Sequence, residues 1–194
     1  MRLLIVADSH GRGMGSQVKK ENKNWDAIVV RVGRVAPEVY KAYEDLVPDI
    51  RKFRPEACVL HVGHNDLTYH SRFNPNPMDM MSFLKYVLGF IDRIQSDLPP
   101  CRIHYSSIFP RTVGYKMGKV AKETYNAMAV EYSREVTELF QRRRMPYIIN
   151  DSLWFSMPEG REHPVFFQTD GLHLSALGRE FVIREWMEKV AGRR

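Results

Sequence analysis

Three short stretches of the chain hold side chains whose types and spacing suit catalysis. Asp8-Ser9-His10-Gly11 follows an apolar run near the start, Gly63-His64-Asn65-Asp66 follows another, and Asp170-Gly171-Leu172-His173 comes late in the chain. A serine hydroxyl at neutral pH is a poor nucleophile unless a base lies within hydrogen-bond reach and an acceptor orients that base. Ser9, His173 and Asp170 are those three parts. Asp170 and His173 stand three positions apart with Gly171 between them, so a turn can bring the carboxylate to one imidazole nitrogen and leave the other free. Attack on a carbonyl also needs donors for the developing oxyanion. The N–H of Ser9, the N–H of Gly33 and the side-chain amide of Asn65 are the candidates. Asp8 and Asp66 read as structural acceptors that tie loop N–H groups together, and His10 and His64 as residues lining the site.

These residues need a scaffold that brings distant segments to one place. Apolar runs at 3–7, 27–32, 57–62, 102–108 and 146–150 read as strands, several of them apolar on both faces, as expected where helices cover a sheet on both sides. Between them, 79–98 and 119–144 carry apolar residues at helical spacing, and so does 175–191, with Ser175 as a plausible N-cap. A weaker helix is expected over 37–47, opening on Pro37. Alternating strands and helices imply one three-layer α/β domain over 1–194, with a parallel five-stranded sheet and right-handed crossovers. Ligands bind such sheets at the carboxyl ends of the strands. Ser9, Gly33, Asn65 and the Asp170–His173 segment all fall at that edge. The stretches 73–77 and 156–164 read as surface loops, and Tyr69, Trp154 and Phe155 as packing residues or pocket walls.

In order and interval, the Ser of "ADSHG", Gly33, the Asn of "GHND" and the Asp and His of "DGLH" resemble the four sequence blocks of the SGNH (GDSL-type) hydrolases. The resemblance implies a flavodoxin-like fold and a metal-free, cofactor-free esterase. Ser9 would be its nucleophile, His173 its base and Asp170 the orienter, with Ser9, Gly33 and Asn65 forming the oxyanion hole. The substrate would be a small acyl ester, an acetyl ester first of all. One position departs from the pattern: Ala7 stands where the family has glycine. The compact "VLHVGHND…DGLHLSALG" layout is also similar to the SGNH esterase domain of LINE-type retrotransposon proteins, which implies association with nucleic acid through other parts of a longer protein.

Two other readings compete. "ADSHG" resembles the D-x-H-G opening of metal-dependent phosphoesterases, with Asp8 and His10 as ligands, but "VGRVAPE" lacks the bridging Asp that family needs after its second strand. The other reading is an inactive SGNH fold used only for binding.

Composition sets wider bounds. The 194 residues are 44% hydrophobic and 27% charged, which suits a globular domain. No apolar run is long enough to span a bilayer, and "LLIVA" is too short for a signal peptide, so an intracellular, cytoplasmic protein is expected. Cys58 and Cys101 read as free thiols. The net charge of +6 is spread out, with 14 Lys/Arg against 12 Asp/Glu in 1–100 and 15 against 11 in 101–194. Dispersed charge of this kind is compatible with weak nucleic-acid association. The Arg142–Arg144 cluster suits the negative end of a helix dipole.

Overall fold

Alternation along the first strand lays out the molecule. Leu4 and Val6 face one apolar core and Leu3, Ile5 and Ala7 face the other, because successive side chains of a strand point to opposite faces. In this computed structural model, residues 1–31, 36–67, 78–112, 121–150 and 165–192 are described. β1 (Arg2–Ala7) lies between β2 (Asp26–Arg31) and β3 (Ala57–His61). β4 (Arg102–Ser106) pairs with β3, and β5 (Tyr147–Ile148) forms the far edge. The order is β2-β1-β3-β4-β5 and every pairing is parallel. It is the flavodoxin-like arrangement.

Helices cover both faces. α2 (Ala36–Phe53), α3 (Met80–Asp97) and α4 (Lys122–Arg142) bury Tyr43, Phe83, Phe90, Tyr125 and Phe140 against Leu4, Val6, Cys58 and Leu60. α1 (Met14–Glu21) and α5 (Ala176–Val190) bury Met14, Val18, Val182 and Trp186 against Leu3, Ile5 and Val59. A fully buried apolar side chain of this size contributes roughly 1.5–3 kcal/mol, so the two cores fix how the strands carry their terminal loops. Asp79 caps α3 by accepting from Ser82 N–H at 2.9 Å, and Ser175 caps α5 by accepting from Gly178 N–H at 3.0 Å. No described helix is long and apolar enough to cross a membrane.

The sequence-predicted elements differ from these in particular ways. β4 stops at Ser106 rather than 108: Ser107 N–H still donates to the Ile148 carbonyl at 2.9 Å, but the N–H groups after it leave the sheet. Ile108 N–H donates to Ser133 Oγ at 3.0 Å and Phe109 N–H to His64 Nε2 at 3.0 Å. β5 spans only Tyr147–Ile148, after which the Asn150 amide donates to Ser106 Oγ and the Ser107 carbonyl. α2 runs through Pro48 to Phe53. The proline gives up one helical N–H bond, while Val47 and Ile50 on either side of it stay in the core. α1 has no predicted counterpart. Its sequence, MGSQVKKE, buries only Met14 and Val18, too sparse a stripe to mark a helix. Cys58 and Cys101 are free thiols. Arg142 and Arg143, at the end of α4, pair with Glu138 and Asp92. Gly33, Tyr69, Trp154, Phe155 and the loops at 73–77 and 156–164 lie outside the described residues.

Candidate active site

β1 delivers Ser9 to the carboxyl edge of the sheet. Immediately after the strand the chain makes a single 3-10 turn, Ser9–Gly11, capped by Asp8, whose Oδ1 accepts from His10 N–H at 3.1 Å. Asp8 also ties this turn to the β3 loop, its Oδ2 accepting from His64 N–H at 3.1 Å. Ser9 follows Asp8 and Asn65 follows His64, so this bond holds the two loops that carry them side by side. Asn65 is half-buried in the turn after β3.

The third piece arrives on the segment before α5. Phe167 and Leu174 form an antiparallel bridge, and Gln168 N–H donates to the His173 carbonyl at 2.7 Å. At the tip, Gly171 takes a positive φ of 64°, a conformation open to glycine at little cost. That turn lets the Asp170 carboxylate reach forward. Oδ1 accepts from the N–H groups of Leu172 and His173 at 2.9 Å each, and Oδ2 accepts from His173 Nδ1 at 2.7 Å. A carboxylate accepts, so Nδ1 carries the proton and Nε2 is left as the free base. Partial burial of Asp170 opposes its ionisation, but the His173 ring and the two N–H groups outweigh burial and hold the carboxyl below its usual range.

Ser9, His10, His173, Arg12, Arg31 and Arg179 are among the residues lining one cavity of about 170 Å³. No hydrogen bond joins the Ser9 hydroxyl to the His173 ring among the described residues; such contacts commonly tighten only when substrate binds. Clefts of about 400 Å³ beside Met1 and Trp25, and of about 430 Å³ beside Arg2 and Glu56, lie at the amino ends of the strands. That is the edge where an open parallel sheet does not bind ligands.

A stack of imidazoles stands behind the cavity. The His10 ring lies 5.4 Å from that of His173 and 3.6 Å from that of His64. His10 lines the cavity, whereas His64 sits behind it, only 1% exposed. Asp8, His10 and His64 offer ligand atoms within 4.8 Å of one another, the geometry that a metal-bound reading of Asp8 and His10 would use. Polar contacts within the group and to backbone already occupy these side chains. His64 Nε2 accepts from Phe109 N–H, so the proton sits on Nδ1, 3.3 Å from Asp8 Oδ2. His10 places Nδ1 3.0 Å from Asp8 Oδ1 and Nε2 3.0 Å from the Leu172 carbonyl. The donor set therefore suits a structural hub better than a metal cage. Burial works against ionisation of Asp8, yet His64 and His10 outweigh it and leave the carboxyl well below its ordinary range. Asp66 accepts from Ala36 N–H with both oxygens, at 2.9 and 3.2 Å, and its burial pushes the carboxyl up to about 7.

Sequence reasoning missed the three arginines. Arg12 lies inside the first block, Arg31 ends β2 and Arg179 sits in the first turn of α5. The rule that located Ser9, the carboxyl edge of the sheet, applied to charged residues as well.

The same fold occurs in known structures. The acetyl xylan esterase AlAXEase superposes with a TM-score of 0.75 at 18% identity, over 98% of this chain and 100% of that one. A lipase/acylhydrolase from Enterococcus faecalis gives 0.73 at 18% identity, over 99% and 96%. A GDSL-like lipase from Bacteroides thetaiotaomicron gives 0.70 at 14% identity, over 98% and 86%. The chain thus has the α/β fold of the SGNH hydrolases. No protein-family model matches it, and no curated protein does.

Proposed function

We propose that the chain is a serine esterase that hydrolyses small acyl esters, acetyl esters foremost, through an acyl-enzyme. The observation that carries this reading is the 2.7 Å bond from His173 to Asp170, with His173 lining the same cavity as Ser9. Ser9 Oγ attacks the carbonyl carbon while His173 Nε2 takes its proton. His173 returns that proton to the leaving alcohol, and water then repeats the sequence on the acyl-enzyme. Asp170 keeps the ring in the tautomer that leaves Nε2 free. The Ser9 N–H, the Asn65 amide and Gly33 are the proposed oxyanion donors; removing one such donor typically costs about 3 kcal/mol of transition-state stabilisation. A cavity of about 170 Å³ favours a short acyl group, and one of the structures that share the fold is named as an acetyl xylan esterase.

The test is turnover of p-nitrophenyl acetate by the wild type, Ser9→Ala and His173→Ala, each with and without EDTA. The esterase reading expects a loss of several orders of magnitude in both variants and no effect of chelator. Wild-type turnover equal to that of both variants would refute it in favour of a binding module. Loss of wild-type activity in EDTA would favour metal chemistry at Asp8 and His10.

A further inference from the structure

We propose that the site selects esters whose alcohol half carries an oxyanion, a carboxylate or a phosphate, held by Arg12, Arg31 and Arg179. The inference rests on the esterase reading for the position of the ester, and on the arginines for the charge.

Arg12, Arg31 and Arg179 line the cavity together with Ser9 and His173. Elsewhere among the described residues most arginines are paired: Arg51, Arg93, Arg134, Arg142, Arg143 and Arg184 each lie within 4.0 Å of a carboxylate. Among the described residues, Arg12, Arg31 and Arg179 have no carboxylate partner. The Arg179 side chain makes one hydrogen bond among the described residues, from Nη1 to the Leu174 carbonyl at 2.9 Å, which anchors it and leaves further N–H donors available. One turn further along the same helix, Arg184 is matched to Glu21 at 2.6 Å and to Glu180 at 2.7 Å. Arg54, Arg102 and Arg144 also lack a carboxylate partner among the described residues, but they lie apart, whereas Arg12, Arg31 and Arg179 share one cavity.

The loop that carries Ser9 is shaped to admit these side chains. A Cβ on Gly11 would stand 3.3 Å from Arg31 Cγ, and one on Gly13 would stand 3.4 Å from Arg179 Nε. "Ser-His-Gly-Arg-Gly" thus seats two arginines from distant elements against its glycines and contributes a third itself. Three guanidiniums around one small space repel each other, and an oxyanion relieves that repulsion through charge-assisted, bidentate bonds.

The position of the charges assigns the oxyanion to the alcohol half. Arg12 and Arg31 are exposed, at the solvent side of the site, whereas His10 on the inner wall is buried. A short acyl group fits inside, and the alcohol leaves toward water past the arginines.

The test compares phenyl acetate with 3-acetoxybenzoate and with 3-acetoxyphenyl phosphate; the last two separate carboxylate from phosphate. The wild type is expected to favour at least one anionic ester by tenfold or more in kcat/KM, chiefly through KM, with the preference shrinking as salt is added. Arg12→Gln, Arg31→Gln and Arg179→Gln are each expected to cut that preference several-fold. Arg134→Gln, the same charge change on α4, is expected to leave it intact. A second measurement is independent of catalysis: inorganic phosphate titrated calorimetrically into the Ser9→Ala protein and into the three arginine variants. Arginine-dependent phosphate binding without turnover of any ester would sustain the anion site and refute the esterase. Turnover of phenyl acetate with equal kcat/KM for charged and neutral esters would overturn the anion proposal and leave the esterase standing. Phosphate binding that survives in all three arginine variants would overturn it as well.

Discussion

The Nε2 of His10 lies 3.0 Å from the carbonyl oxygen of Leu172, a contact between residues 162 positions apart. A carbonyl only accepts, so the ring donates here. His10 follows Ser9 and Leu172 precedes His173, so this one bond fastens the loop of the proposed nucleophile to the loop of the proposed base. His10→Phe keeps a ring in the stack and removes both nitrogens. It is expected to lower kcat for p-nitrophenyl acetate by roughly tenfold to a hundredfold, as expected for a misplacement of about 1 Å, with a smaller change in KM. Steady-state kinetics with a thermal melt alongside measure both.

Asp170→Asn tests the tautomer. The variant amide can still present an oxygen to the N–H groups of Leu172 and His173, which now donate to Oδ1 at 2.9 Å. The nitrogen then faces His173 Nδ1 as a donor, so the ring must accept there and carry its proton on Nε2, where it cannot act as base. The expected loss in kcat is roughly 10³- to 10⁴-fold, with the melting temperature little changed. An activity within a few-fold of wild type would mean that Asp170 does not set the state of His173.

The parts of this architecture that show in the sequence are those fixed by local chemistry. Apolar runs between amphipathic segments mark the sheet and most of the helices, since β1, β3 and β4 are buried on both faces and each long helix on one. "DGLH" reveals its own geometry, because the turn, the acceptor and the imidazole lie within four residues. What depends on tertiary contact is not legible in that way. The ends of β4 and β5 are set by contacts between residues far apart in sequence: Ile108 with Ser133, Phe109 with His64, and Asn150 with Ser106. The departure at Ala7 resolves only in three dimensions: a Cβ on Gly11 would stand 3.0 Å from Ala7 Cβ, so the room expected at position 7 is supplied at position 11. Likewise nothing local says that Arg12, Arg31 and Arg179 share a cavity with Ser9.

The buried imidazoles set the acid limit of stability. Burial, reinforced by the neighbouring His10, lowers His64 to about 4. Burial also lowers His104 to about 4, and takes His61 well below its ordinary value. Between pH 6.5 and 4 the unfolded chain therefore binds protons at these histidines that the folded one refuses, so their contribution to stability is full above about 6.5 and is lost as the pH falls. His64 alone accounts for roughly 2 kcal/mol by pH 5. The depressed Asp8 adds a further loss only below its unfolded value of 3.8. Thermal melts from pH 8 to 4 are expected to decline with onset near 6.5. A flat profile down to pH 5 would contradict this.

Asp66 acts in the opposite direction. With its carboxyl raised to about 7 from 3.8, the folded state holds a proton that the unfolded chain releases. Its contribution is most favourable below pH 3.8 and is lost as the pH climbs through 7, a penalty on the charged form of roughly 4 kcal/mol. Asp66→Asn keeps an oxygen for Ala36 N–H and carries no charge. The variant is expected to melt higher than wild type at pH 8, to lose that advantage toward pH 4, and to show a steeper acid decline because the offset to the histidines is gone. The difference between the two melting curves as a function of pH gives the sign directly.

Gly178 ties stability to chemistry at one position. It lies buried in the first turn of α5, where an added Cβ would meet the Phe166 carbonyl oxygen at 2.1 Å. That distance is far inside van der Waals contact, and the obstacle is backbone, so a side-chain rotation cannot relieve it. Phe166 also accepts from Ser175 N–H at 2.9 Å and precedes the Phe167–Leu174 bridge that closes the loop of Asp170 and His173. Gly178→Ala must therefore displace either α5 or that loop. Overpacking of this kind costs about 1–3 kcal/mol, equivalent to a melting-point drop of roughly 3–10 °C for a chain of this size. If the loop is what yields, kcat for p-nitrophenyl acetate falls by more than an order of magnitude at temperatures where the variant is still fully folded. Ser16→Ala, on the exposed side of α1, is the control expected to change neither quantity appreciably. A Gly178→Ala protein with wild-type melting and wild-type turnover would show that α5 does not hold the loop in register.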